Sequence, residues 1–167
     1  MSSDSIRILG IDPGLRITGW GMIEVQGTRI RHVEHGTIRP DVKASLAERL
    51  SVLFSEMGAL VADYSPDECA IEEAFMANNA SSALKLGHAR AAGLLAPAHA
   101  GVPVYEYAAR LVKKSVVGTG AADKAQIGAM IGVLLPGCKA SADAADALAI
   151  AICHSHHRKA HSLGSAA

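Results

Sequence analysis

Aromatic side chains make up only 4% of this 167-residue chain, so its core must be aliphatic and alanine-rich. An exposed aromatic therefore stands out as a candidate for a stacking role. Cysteine occurs three times, at Cys69, Cys138 and Cys153, an odd number with no Cys-x-x-Cys pair. That pattern argues against a disulfide frame or a zinc site and for a reducing cytoplasm. No apolar run approaches the roughly 18 residues of a membrane span, and Met1-Ser2-Ser3-Asp4-Ser5 has neither the basic start nor the apolar stretch of a signal peptide. A soluble, cytoplasmic protein without membrane contact is expected. The Gly-rich pieces Gly10-x-x-x-Gly14 and Gly118-x-Gly120 match neither a Walker A loop nor a dinucleotide fingerprint, and no Ser-centred nucleophile elbow is present.

Net charge is also absent, but it is absent by cancellation. Residues 1–74 carry 7 Lys/Arg against 12 Asp/Glu, whereas residues 75–124 carry 6 Lys/Arg against 2 Asp/Glu. Lys85, Arg90, Arg110, Lys113, Lys114 and Lys124 thus make the middle third the candidate phosphate-binding face, with a solvated helix surface as the plain alternative.

What is present is carboxylate at the ends of apolar runs. Ile8-Leu9-Gly10-Ile11 reads as a buried strand that stops on Asp12 and the turn Pro13-Gly14. Cys69-Ala70-Ile71 likewise stops on Glu72, and Asp143-x-x-Asp146 opens an Ala-rich helix. Singly, each acid has an ordinary reading as a turn, a solvated strand end or a first-turn helix acid. Recurrence of the pattern suggests convergence, because an acid at a buried strand end is costly unless a cation sits beside it.

The pattern of elements supports that convergence. Strands are expected at 8–12, 17–25 and 29–38, with a hairpin turn at Gln26-Gly27-Thr28. Ser45-x-x-Glu48 reads as a capping box opening a helix that Ser65-Pro66 ends. A fourth strand over 68–72, a helix over 79–98, a fifth strand over 102–107 and helices near 108–117, 122–135 and 141–156 follow. This order predicts a single α/β domain over 1–157 with a mixed five-stranded sheet flanked by helices, in which parallel crossovers bring Asp12 and Glu72 to neighbouring strand ends. Residues 158–167 are expected to be a disordered tail, and the cluster His154, His156, His157 and His161 to be a solvated basic segment. Four hard oxygen donors suit magnesium, and a pair of ions about 3.5–4 Å apart is the arrangement that hydrolyses phosphodiesters.

Several segments together resemble one family. They are Gly10-Ile11-Asp12-Pro13-Gly14 with Thr18-Gly19-Trp20-Gly21; Ile71-Glu72-Glu73-Ala74-Phe75-Met76 with Asn79 and Ser82-Ala83-Leu84-Lys85-Leu86-Gly87; Glu106-Tyr107-Ala108-Ala109-Arg110; Val116-Val117-Gly118-Thr119-Gly120 with Lys124; and Ala142-Asp143-Ala144-Ala145-Asp146 with Ala147-Leu148-Ala149-Ile150. In order and spacing over about residues 6–155 they resemble the RuvC family of Holliday junction resolvases. The resemblance implies a ribonuclease H-like fold, a homodimer, magnesium-dependent paired nicking of four-way junction DNA at a short thymine-containing site, and RuvA and RuvB as branch-migration partners. It implies Asp12, Glu72, Asp143 and Asp146 as metal-binding catalytic acids and Lys113 and Lys124 as active-site and DNA-contacting lysines. Phe75 is implied as the aromatic that stacks on a junction base, and Asn79 joins Lys85, Arg90, Arg110 and Lys114 as a nucleic-acid contact. Glu73, an acid beside Glu72, leaves open whether one glutamate or two contribute. Two alternatives stand beside this reading: a catalytically silent junction-binding module, and a fragment of an actin-like phosphotransferase, since Gly-Ile-Asp-x-Gly also opens those enzymes. The small residues Ala83, Gly87 and Ala91 make the helix over 81–98 a candidate dimer surface.

Overall fold

The computed structural model describes residues 5–73 and 79–164, the last four of these by backbone alone. The expected elements form in the expected order: β1 (Ile6–Asp12), β2 (Thr18–Gln26), β3 (Arg29–Ile38), α1 (Leu46–Tyr64), β4 (Glu68–Glu72), α2 (Ala80–His99), β5 (Val104–Tyr107), α3 (Ala109–Val117), α4 (Lys124–Leu134) and α5 (Ala142–Gly164). The sheet order is β3-β2-β1-β4-β5, with β1, β2 and β3 antiparallel and β1, β4 and β5 parallel. The capping box forms as read, Glu48 N–H donating to Ser45 Oγ at 3.2 Å and Ser45 N–H to the Glu48 carboxylate at 2.8 Å.

Strand alternation decides which face each residue serves. Along β1, Leu9 and Ile11 enter the core beneath α1 and α2, while Ile8 enters the core beneath α3, α4 and α5. Along β4, Cys69 and Ile71 face the first core and Ala70 the second. Asp12 and Glu72 continue the parity of Ile8 and Ala70, so both acids belong to the α5 face.

Helix α5 lies directly on that face because two glycines leave room for it. A Cβ on Gly10 would collide with the Ala147 carbonyl, and one on Gly19 with the Asp143 carbonyl. Helix backbone therefore rests on strand backbone where the helix begins, which holds its first turn, with Asp143 and Asp146, over the ends of β1 and β2.

One expectation is corrected here. From His154 to Gly164 the segment is helix rather than tail: α5 runs unbroken to Gly164, and His154 is fully buried although His156 is exposed. Its ring bonds the Tyr107 hydroxyl at 2.6 Å and the Glu68 carboxylate at 2.7 Å, and Arg158 reaches the same carboxylate at 2.6 and 3.0 Å. A polar side chain is stable in a core when both ends of it are bonded, and His154 meets that condition.

Candidate active site

Parallel pairing of β1 with β4 sets Ile11 against Ile71, so Asp12 and Glu72 terminate adjacent strands side by side. Asp146, one turn into α5, faces them, and Asp143 adds its charge to both Asp12 and Asp146. The resulting cleft, of about 500 Å³, is lined by Asp12, Glu72 and Asp146 together with Lys113 of α3 and Lys124 of α4.

The acids are held against their chemistry. Burial, then the charges of Asp146 and Glu72, pushes the Asp12 carboxyl up from 3.8 to about 7. Burial followed by Asp146 likewise raises Glu72, against the pull of Lys113 and Lys124. Asp146 is raised by burial although the Lys124 ammonium stands 3.4 Å from its Oδ2, and that lysine is raised in turn, first by Asp146. Lysines at the rim do not neutralise the cluster, and a divalent cation would.

The donor set fits such a cation in kind, being oxygen only. Among the described residues, no three of these acids bring oxygens all within 4.8 Å of one another.

The arrangement has close relatives. The family described as crossover junction endodeoxyribonuclease RuvC matches residues 8–154. The chain belongs to the RuvC family. A crossover junction endodeoxyribonuclease of Maricaulis maris is 71% identical over 163 residues, covering 98% of both chains, and that of Paramagnetospirillum magneticum is 62% identical over 154 residues, covering 92% of this chain and 93% of the relative. The structure of Thermus thermophilus RuvC in complex with a Holliday junction substrate superposes with a TM-score of 0.86 at 30% identity, covering 93% of this chain and 96% of that one. The chain is thus a Holliday junction resolvase with a ribonuclease H-like sheet. The phosphotransferase alternative has no support in these relations.

The remaining site residues divide between exposed positions and positions engaged within the protein. Lys113 is half-buried in the cleft wall, and Lys124 is exposed at its mouth. Lys114 and Arg110 are exposed on α3, where the stem of Arg110 lies across Gly120. Arg90, expected on the phosphate face, is engaged within the protein: its Nε donates to the Glu72 carbonyl at 2.9 Å, its guanidinium pairs with Glu106 at 3.0 Å, and its side chain is 16% exposed. It ties the end of β4 to β5 and so positions Glu72. Asn79 caps α2, its side-chain oxygen accepting from the Ser81 N–H at 2.9 Å, so that oxygen is engaged within the protein. Phe75 lies outside the described residues.

Sequence reasoning missed a second basic surface. Lys85 of α2 shares a basin of about 700 Å³ with Arg16, Arg39 and Arg49, all from the acidic first third of the chain. Segment charge hid it, because the acids of that segment point elsewhere. A cluster was missed as well: His32, His35 and Cys138 each bring one ligand atom within 4.8 Å of the others. The signal available was His32-x-x-His35, and nothing in the sequence announced its link to Cys138.

Proposed function

We propose that this resolvase is a magnesium-dependent homodimer that nicks paired strands of a four-way DNA junction, with two ions at each site. The observation that carries the reading is the convergence of Asp12, Glu72 and Asp146 in one cleft, with burial and mutual repulsion raising all three. These acids, with Asp143, would hold the ions. Bound there, magnesium supplies an activated water and neutralises charge at the leaving oxygen.

The protein's own groups do the rest. Lys113 and Lys124, which line the same cleft as the acids, balance the charge of a phosphate entering it. The basin of Arg16, Arg39, Arg49 and Lys85 gives the approaching backbone a second electrostatic contact. Arg90 fixes the carbonyl of Glu72 and with it the direction in which that side chain leaves the strand. Phe75, three residues past the end of β4, is proposed to stack on an unpaired junction base.

Dimerisation is supported by the outer side of α2, where Leu84 and Leu95 are 67% and 58% exposed beside Gly87 and Ala91. Apolar surface of this kind is usually covered by a partner, and two symmetric copies would explain paired incisions. A cytoplasmic location and cooperation with RuvA and RuvB complete the reading. No helix among the described residues is long and apolar enough to cross a membrane.

The test is cleavage of a synthetic four-way junction against a linear duplex over a magnesium titration. Paired nicks in the junction alone, absent without metal, are expected. Equal cutting of linear duplex, or cutting in chelator, would overturn the reading.

A further inference from the structure

β3 is an edge of the sheet, and two of its histidines meet where a regular strand would separate them. Residues three apart on a strand point to opposite faces. Yet His32 Nε2 and His35 Nδ1 lie 2.8 Å apart. The cause is a bulge: Ile23 of β2 pairs with His32 and Met22 pairs with Glu34, so Val33 is an extra residue in β3. His32 and His35 therefore oppose Ile23 and Gly21, two apart on β2, and share the face that α5 covers. Cys138 comes to the same point from the turn after α4. Gly137 takes a left-handed φ of 85°, the Cys138 N–H closes the turn on the Leu135 carbonyl at 3.0 Å, and Sγ stands 3.7 Å from His35 Nδ1.

One nitrogen of each imidazole and the sulfur lie within 4.8 Å of one another. Two imidazoles and a thiol are a donor set for zinc or a similar borderline-soft divalent ion, and a poor one for magnesium. A tetrahedral zinc with ordinary bond lengths holds two nitrogens about 3.3 Å apart and a nitrogen and sulfur about 3.5 Å apart. The separations of 2.8 and 3.7 Å differ from these by a few tenths of an ångström, within reach of side-chain rotation. The short contact between the rings is the hydrogen bond they make when no ion lies between them. All three residues are half-buried, and a cleft of about 550 Å³ lined by Arg29, Arg31, His32 and Pro136 opens beside them, which gives an ion a way in.

We propose that His32, His35 and Cys138 form a zinc-binding site separate from the carboxylate cleft. Three protein ligands leave the fourth position to solvent. An ion there joins the edge strand to the α4–α5 turn, four residues before α5 begins at Ala142 and brings in Asp143 and Asp146. The site is thus a staple on the segment that delivers half of the acids.

The whole protein, freed of metal and given excess magnesium to fill the acids, should be titrated with cobalt(II) and then with zinc. One equivalent of cobalt should produce a thiolate-to-metal charge-transfer band in the near ultraviolet, which zinc then bleaches. Cys138→Ser should abolish the band and His35→Gln should weaken cobalt binding at least about tenfold. Cys153→Ser should keep the band, although Cys153 Sγ lies 3.8 Å from His157. Zinc at about 100 times its dissociation constant should raise the thermal midpoint by about 5 °C or more in the unaltered chain. It should leave the midpoint of Cys138→Ser unmoved. Should Cys138→Ser fail to fold, folded His35→Gln decides the matter: weakened cobalt binding supports the site, and binding equal to that of the parent overturns it. No thiolate band, a band that survives Cys138→Ser, or one lost with Cys153→Ser would overturn the proposal.

Discussion

Glu68 and Glu72 stand at opposite ends of the same short strand, on the same face, under the same helix, and they have opposite fates. Four residues of strand span about 13 Å, and the eight residues of α5 from Asp146 to His154 rise about 12 Å, so one helix covers both acids. At the Glu68 end α5 presents His154 and Arg158, which bond the carboxylate at 2.6–3.0 Å. Burial alone would push Glu68 up, but those bonds outweigh it and hold the carboxyl below its ordinary value. At the Glu72 end α5 presents Asp146, another acid, and burial and repulsion push Glu72 up. The difference teaches how to tell a structural carboxylate from a functional one. The first is answered by groups the chain supplies, and the second is left for something the chain must bind.

The sharpest way to break the comparison is at the functional end. Asp146→Asn should reduce junction cleavage by well over ~100-fold, the upper cost of losing a mere outer-shell partner of a metal, while leaving junction binding near that of the parent. Gel-shift and nicking assays on one synthetic junction decide it. Binding lost together with cleavage would make Asp146 a structural residue like Glu68.

The two ends should also respond to pH with opposite sign. The unfolded chain releases the Asp12 proton near 3.8 and the folded, metal-free chain near 7, so the folded state holds that proton more tightly between them. Metal-free stability from this group is therefore greatest below about pH 4 and falls as pH rises through 7, by up to about 4 kcal/mol. Asp12→Asn should raise the metal-free thermal midpoint at pH 8, leave it nearly unchanged at pH 4, and reduce the gain from magnesium. Glu68, whose value is lowered, contributes stability above its unfolded value of about 4.5 that is lost as pH falls through its folded value. Glu68→Gln should cost about 2 kcal/mol at neutral pH, since it removes the charge that Arg158 pairs with and replaces one of the two acceptor oxygens by an amide donor. Melts across pH check both, and a common sign for the two substitutions would undo the distinction.

These contrasts also mark what could be read from the sequence. Asp12 and Glu72 were legible because each ends an apolar run, and an apolar run that stops on an acid has few ordinary explanations. The capping box Ser45–Glu48 was legible because it is made within one turn. His154, Arg90 and the bulge at Val33 were not, since each depends on partners the sequence sets far away or on a register it does not record. Glu68 is 86 residues from His154, and Glu72 is 18 from Arg90. A histidine amid polar neighbours reads as tail until its acceptors are known, and an arginine in a basic segment reads as a phosphate ligand until a carbonyl and a carboxylate are found beside it. The basin of Arg16, Arg39, Arg49 and Lys85 was hidden for a related reason: segment charge averages over faces that folding separates.

The smallest expected effect settles the neighbouring glutamate. Glu73 follows Glu72 directly, and its N–H donates to the Tyr107 carbonyl at 2.8 Å, so strand pairing with β5 continues through it. Successive side chains on a strand alternate, which turns Glu73 away from the face that Glu72 shares with Asp12, and Glu73 is exposed. It has no part in the burial or repulsion that raises the site acids. Glu73→Gln should change stability by no more than about 0.5 kcal/mol and cleavage by no more than about twofold. Glu72→Gln should lose cleavage and become insensitive to magnesium in thermal melts. The two glutamates are adjacent along the chain and a whole face of the sheet apart, so equal behaviour of the two variants would mean that alternation along β4 does not decide which glutamate serves the site.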